Sequence, residues 1–158
     1  MFRRMRRFKQ AVSEEECKKI LREAKRGTFS VLGDNGYPYT IPINFYYDEI
    51  DNRIYFHGAK EGHKVDSIKK CDKVCFTTWN KGFRKEGRWE WNVTSVIVFG
   101  RAKIIEDGEM TEDKVRKMAY KYFPTKKEAE EDFTRSINRV QLFAIDIEHM
   151  TGKLVEEK

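Results

Sequence analysis

The sequence predicts an α+β fold, mainly β: a small antiparallel barrel of about six strands with flanking helices. Three observations predict it. Aromatic residues make up 13% of the 158 residues, a share that favours strands and flat pockets. Short apolar runs recur between turns rich in Gly, Asn and Asp. Apolar residues with helical spacing are confined to four segments beside these runs.

The elements follow in order along the chain. Ser13-Glu14-Glu15-Glu16 is a capping box, with Ser13 as N-cap and Glu16 three residues on. Cys17, Ile20, Leu21 and Ala24 then share one helical face, and Gly27 is expected to stop that helix. Residues 28–32 read as a strand, Gly33-Asp34-Asn35-Gly36 as a hairpin turn. Residues 37–47 read as a second strand, in which Pro38 and Pro42 interrupt the amide ladder and mark an edge or bulge. A turn at 48–52 leads to a third strand at 53–57, and the strands are expected to form a meander. Residues 62–70 read as a short helix, with Val65 and Ile68 inward, and 73–79 as a fourth strand. The long apolar run VTSVIVFGRAKII, residues 93–105, reads as a fifth. Helices are expected at 111–122, ended by Pro124, and at 126–137. Residues 140–147 alternate as a last strand. The chain shows neither repeat nor low-complexity linker, so residues 1–158 read as a single domain in which 1–10 form a basic arm.

Composition narrows the function. The net charge is +6, part of it in Arg3, Arg4, Arg6, Arg7 and Lys9. Such an arm suits nucleic acid, an anionic surface, a bound anion or a partner subunit, or is simply solvated. Helix-turn-helix, zinc-finger and RNP-type motifs are absent from the sequence, so nucleic acid is not the expected partner. No apolar run reaches the ~20 residues of a membrane helix, and MFRRMRRFKQ is not a secretory signal. A cytoplasmic location is expected. Cys17, Cys71 and Cys75 include no CxxC pair, which points to free thiols and no metal site.

The stretch IYFHGAKEGHK, residues 54–64, carries most of the chemistry. A strand ends at His57, and a Gly-rich turn runs into a helix whose first turn holds Lys64, with Lys60 and His63 nearby. Glycines let backbone approach a ligand, and a helix N-terminus presents free amides and partial positive charge, ingredients that suit a phosphate. A cationic surface turn is the alternative, since neither GxxxxGK[ST] nor GxGxxG is present. His57 reads equally as a ligand contact or as a structural residue. In IPINF, residues 41–45, Pro42 frees an edge acceptor and Asn44 places an amide among apolar residues, an arrangement able to hold a flat heterocycle. In SVIVFG, residues 95–100, Ser95 opens an apolar strand with a hydroxyl. Both are also ordinary barrel strands. Residues 80–92 alternate Phe83, Trp89 and Trp91 with Arg84, Lys85 and Arg88, a pattern of a lid or of an anchored loop.

Taken together, Met5-Arg6-Arg7, GYPYTIPINF (36–45), RIYFHGAKEGHKVDSI (53–68), VCF (74–76), SVIVFGRAKII (95–105) and IDIEHMTGK (145–153) resemble the split-barrel superfamily of pyridoxamine 5′-phosphate oxidase. Within it they resemble the small Nim-like proteins related to 5-nitroimidazole resistance. The resemblance implies a six-stranded antiparallel split barrel, a homodimer, and FMN in clefts between the subunits. It implies cofactor contacts from Pro42, Ile43 and Asn44, from Phe56, His57 and Gly58, from Lys64 on the phosphate, and from Ser95 and Val96 of the partner subunit's strand. It further implies electron transfer from reduced flavin to a small flat acceptor such as a nitroaromatic, with a reduced nicotinamide or flavin carrier as donor. His57 is the candidate catalytic residue, because an imidazole titrates near neutrality. A flavin-binding stress or sensor module, or a haem or deazaflavin binder, is the alternative. His63 stands where the full oxidases carry arginine, and their basic C-terminal segment is missing, so vitamin B6 oxidation is not expected.

Overall fold

The computed structural model describes residues 1–157. Its elements are α1 (Glu14–Glu23), β1 (Arg26–Leu32), β2 (Pro38–Asn44), β3 (Tyr46–Asp48), β4 (Arg53–Gly58), α2 (His63–Lys70), β5 (Lys73–Trp79), β6 (Phe83–Arg84), β7 (Trp91–Ile105), α3 (Gly108–Tyr122), α4 (Lys126–Ser136) and β8 (Gln141–Glu157). Every strand pairing is antiparallel, in the order β2-β1-β5-β7-β8-β4-β3, with the short β6 on β7. The mainly β, α+β barrel read from the sequence is the observed architecture, with eight strands in the sheet rather than six.

The core is phenylalanine-rich. Phe29, Phe45, Phe56, Phe76 and Phe143 are all fully buried. Phe56 stacks on Phe143 at 5.0 Å between centroids, and Phe45 meets Phe76 edge-on at 4.8 Å, geometries that add to simple area burial. A second apolar cluster lies under α3 and α4, where Tyr55, Leu142 and Ala144 of the sheet meet Val115, Met118 and Phe133.

Helix starts follow local chemistry. The Ser13 hydroxyl accepts from the Glu16 amide at 3.2 Å, as the capping box requires. Asp107 and Thr125 cap α3 and α4 in the same way. The end of α1 differs from expectation. It stops at Glu23, and Gly27 lies inside β1, so close to the Phe76 ring that a Cβ there would sit 2.4 Å from it. Tertiary donors explain the early stop. The Lys121 ammonium donates to the Ala24 carbonyl at 2.6 Å, and the Tyr122 hydroxyl reaches the Lys25 carbonyl.

The expected second strand is two strands. β2 pairs with β1, β3 pairs with β4, and Phe45 alone lies between them. The strands therefore do not form a simple meander: β2 and β3 are consecutive in sequence yet stand at opposite ends of the sheet order. The chain itself closes the barrel at Phe45. Its amide donates to the Tyr122 hydroxyl at 2.8 Å, and its carbonyl accepts from the Lys121 ammonium at 3.1 Å. The last strand runs ten residues past its expected end, pairing with β7 from Leu142 to Glu157, with a register shift at Phe99/Gly100. The arm joins it through a bridge between Ala11 and Lys153. Among the described residues, no helix is long and apolar enough to cross a membrane.

Tyr122→Phe should destabilise the fold by about 1–3 kcal/mol, because the buried Phe45 amide is left without an acceptor. Urea unfolding checks this, and an unchanged midpoint would show that the closure does not depend on the hydroxyl.

Candidate functional site

Crossing at Phe45 leaves an opening. Among the described residues, β2 pairs with β1 alone, and β3 covers only Arg53–Tyr55 of β4. The β3–β4 register places Tyr46 opposite Tyr55. Beyond that pair the two strands no longer pair, and Asn44 and His57 line one cavity between them. Pro42, Ile43 and Asn44 thus lie along one wall of the split, and Phe56, His57 and Gly58 along the other. Both walls present unpaired strand edges, whose amides and carbonyls are free to serve a ligand. Pro38 and Pro42 are spaced so that their missing amides fall on the same edge of β2, the arrangement that an unpaired edge tolerates.

The two faces of β4 carry different chemistry. On the core side are Phe56 and Gly58. The Lys64 ammonium lies 4.7 Å from the Phe143 ring centroid and 5.5 Å from that of Phe56. A Cβ at Gly58 would sit 2.4 Å from that nitrogen, so the ammonium occupies space that only glycine leaves. No carboxylate among the described residues pairs with it, and burial lowers its pKa. Gly62 (φ 121°) is the N-cap of α2 and supplies no side-chain hydrogen bond. The first amides of α2 and a half-buried cation therefore converge where an anion is favoured.

On the other side of β4, His57 and Asn44 line a cavity of about 210 Å³ shared with Tyr122, Asp132 and Ser136. The imidazole keeps an open edge to solvent, but the protein around it lowers its pKa below the ordinary value. Asp132 opposes that shift and Lys64 adds to it. His57 is therefore neutral near pH 7.

The remaining expected residues lie elsewhere. His63 turns away from Lys64 and stacks on Tyr39 at 4.1 Å, with Nε2 accepting from the Asp34 amide at 3.4 Å. Lys60 donates to the Asn138 carbonyl at 3.3 Å. Of these three side chains, that of Lys64 is the one that lies beside Gly58, at the wall of the split. Ser95 is half-buried on the outer face of β7, opposite Trp79 and Lys153. Val96 is fully buried in the core, so only its backbone could approach a ligand. Ser95 stands ten positions along β7 from Ile105, the residue paired with Leu142, and Leu142 in turn pairs with His57. At ~3.3 Å per residue that is roughly 33 Å along the strand, so one subunit does not bring Ser95 to His57. Phe143 and Asp132 were not expected at the site. Phe143 carries a signal in the apolar alternation of its strand, whereas Asp132 on a charged helix carries none.

An antiparallel barrel opened between two unpaired edges, with a cationic helix start at its mouth, defines a split β-barrel protein. The chain belongs to the pyridoxamine 5′-phosphate oxidase family, whose model matches residues 13–154. Solved structures share the fold. A proposed 5-nitroimidazole antibiotic resistance protein from Bacteroides thetaiotaomicron superposes with a TM-score of 0.76 at 20% identity, over 92% of this chain and 87% of that one. The flavocytochrome Anf3 from Azotobacter vinelandii gives 0.75 at 22% identity, over 96% and 72%. An FAD-binding protein from Mesorhizobium loti gives 0.65 at 22% identity, over 92% and 96%. No curated protein sequence matches the chain.

The depressed pKa of His57 has a consequence for stability. The unfolded chain binds a proton near pH 6.5, while the folded imidazole resists one. The contribution of His57 is present above about pH 6.5 and is lost as pH falls through the folded pKa. Asp132→Asn should lower the His57 pKa further, because the carboxylate that favours the charged form is gone. Proton NMR titration of the imidazole reads this directly, and a raised pKa would contradict it.

Proposed function

We propose that this chain is an FMN-binding flavoprotein that passes electrons from reduced flavin to a small flat acceptor such as a nitroaromatic. The observation that carries the reading is the Lys64 ammonium, half-buried and free of any carboxylate among the described residues, at the uncapped start of α2 beside the split. A phosphate monoester supplies the charge that this nitrogen lacks and the acceptors that the α2 amides need. The unpaired edges at Pro42–Asn44 and Phe56–Gly58 suit the hydrogen-bonding rim of a planar ring. The family membership of the chain, and flavin in the names of the Mesorhizobium and Azotobacter proteins of the same fold, support the choice of ligand.

The redox chemistry belongs to the flavin when bound; the protein contributes position, electrostatics and proton handling. Lys64 and the α2 amides hold the phosphate. Pro42, Ile43 and Asn44 offer backbone and amide groups to the ring. His57, neutral near pH 7 and beside Asp132, orients an acceptor or takes up a proton. A reduced nicotinamide or a second flavin carrier is the donor in this reading. Turnover of such a donor with a nitroaromatic separates an enzyme from a flavin-carrying sensor.

The same reading includes a homodimer. Ile97 and Phe99 on the outer face of β7 are 37% and 41% exposed, and Ser95 lies on that face with them. A second copy packed there buries this apolar surface and carries Ser95, with the backbone at Val96, towards the neighbouring subunit's split.

Lys64→Ala should weaken FMN binding at least ten-fold, the loss of about 1.5–3 kcal/mol expected for a charge-assisted hydrogen bond. Titration followed by flavin absorbance measures it, with saturation at one FMN per chain in the unmodified protein; equal affinity would remove the phosphate from α2. Ile97→Glu should give a monomer by light scattering and bind FMN more weakly. A stable dimer would move the interface to another face.

A further inference from the structure

All three tryptophans of the chain lie between residues 79 and 91, and all are exposed: Trp79 at 49%, Trp89 at 66% and Trp91 at 38%. Large indoles left in water mark a surface built for a partner or ligand. Trp91 is already engaged. Its Nε1 donates to the Lys81 carbonyl at 3.3 Å, and the Arg84 guanidinium lies over its ring. It thereby braces the corner between β5 and β6. Trp79, on that corner, lines a cleft of about 760 Å³ that runs to the end of α1 and the start of β1.

The charge in this cleft has one dominant sign. Lys25, Arg26 and Lys81 line it against the single acid Glu23. None of the three cations is held by a carboxylate among the described residues, whereas nearby Arg22 is tied to Glu15 and Glu49. Lys25 also acts on Lys121, whose pKa is lowered to about 8 chiefly by burial and in smaller part by Lys25. Asn80 completes the wall. Its Oδ1 accepts from the Gly82 and Thr94 amides at 3.1 and 3.0 Å, which holds the side chain and leaves its NH₂ group to donate.

We propose that this cleft binds a phosphorylated nucleoside, the base stacking on Trp79 and the phosphate meeting Lys25, Arg26 and Lys81. The volume is that of a small-molecule site and too small for a strand of nucleic acid. The basic arm does not extend it, because the arm lies over β8, with Ala11 bridged to Lys153 and Phe2 stacked on His149. The cleft adjoins the split without sharing its residues: Arg26, which begins β1, pairs with Asn44, while Gly33, just past the other end of β1, lies against His63 at the head of α2. Seven positions along the strand, roughly 23 Å, therefore part Arg26 from the start of α2. Trp79 pairs with Ser95 on the face given to the dimer, so competition by FMN distinguishes this site from the flavin site. Both a free mononucleotide and a dinucleotide electron donor present this chemistry.

Titration of the full chain with AMP, followed by tryptophan fluorescence and calorimetry, tests it. One AMP per chain should quench the fluorescence, with adenosine at least ten-fold weaker. Trp79→Leu should remove the quench. The double variant Lys25→Ala/Lys81→Ala should weaken binding ten-fold or more, while Lys127→Ala, a surface charge on α4, should leave it unchanged. NADH or NADPH binding that shows the same sensitivities assigns the cleft to a dinucleotide, and binding of AMP alone assigns it to a mononucleotide. Three results would overturn the proposal: no AMP binding, one-for-one displacement of AMP by FMN, or binding of oligonucleotides only.

Discussion

The structure depends on how the chain passes Phe45. Here one strand leaves the β1 ladder and the next joins β4, so the amide and carbonyl of this one residue belong to neither ladder. A buried peptide group without partners is costly. The end of α3 resolves this with two adjacent side chains: Tyr122 takes the amide and Lys121 supplies the carbonyl, while also holding the Ala24 carbonyl that ends α1. One contact thus closes the barrel, terminates the first helix and docks the third. It also accounts for the split, because two strands joined by a single residue at one end are free to diverge at the other.

Three partly or wholly buried lysines show how the surroundings decide what a cation can do. Lys114 lies 2.5 Å from Asp48 and 3.5 Å from Asp51. Burial works against its charge, but these carboxylates outweigh it and its pKa rises; it is a structural tie. Lys121 faces carbonyl oxygens and a phenyl ring, which hold its place without compensating its charge. Lys64 has aromatic rings beneath it and neither carboxylate nor carbonyl among its described contacts. It alone of the three is left with its charge available to an incoming anion.

Much of this was legible in the sequence, for identifiable reasons. The Ser13 cap, the Asn35-Gly36 turn with φ of 57° and 77°, and the position of Lys64 in the first turn of α2 are local matters, set within four residues. The break at Phe45 was not legible, because Ile41, Ile43, Phe45 and Tyr47 keep one inward alternation through it, and a period of two reads as a single strand. The change of partner is made in space and leaves no mark on the pattern. The parting of His63 from Lys64 has a simpler origin. Consecutive helical residues point about 100° apart, so neighbours in sequence seldom serve one ligand from a helix. The long tail of β8 was hidden by its charges and Gly152, which suit an edge-like run yet pair with β7 along its length.

That unbroken alternation has a consequence for what changes the chain can absorb. From Tyr39 to Tyr47 the inward faces are set by counting, and no loop intervenes to take up slack. Insertion or deletion of a single residue near Phe45 would send Tyr47 outward and turn Tyr46 and Asp48 the wrong way, parting Asp48 from Lys114. Variation in length is therefore confined to places such as the hairpin at Gly33–Gly36, where the exposed turn can lengthen without moving either wall of the opening.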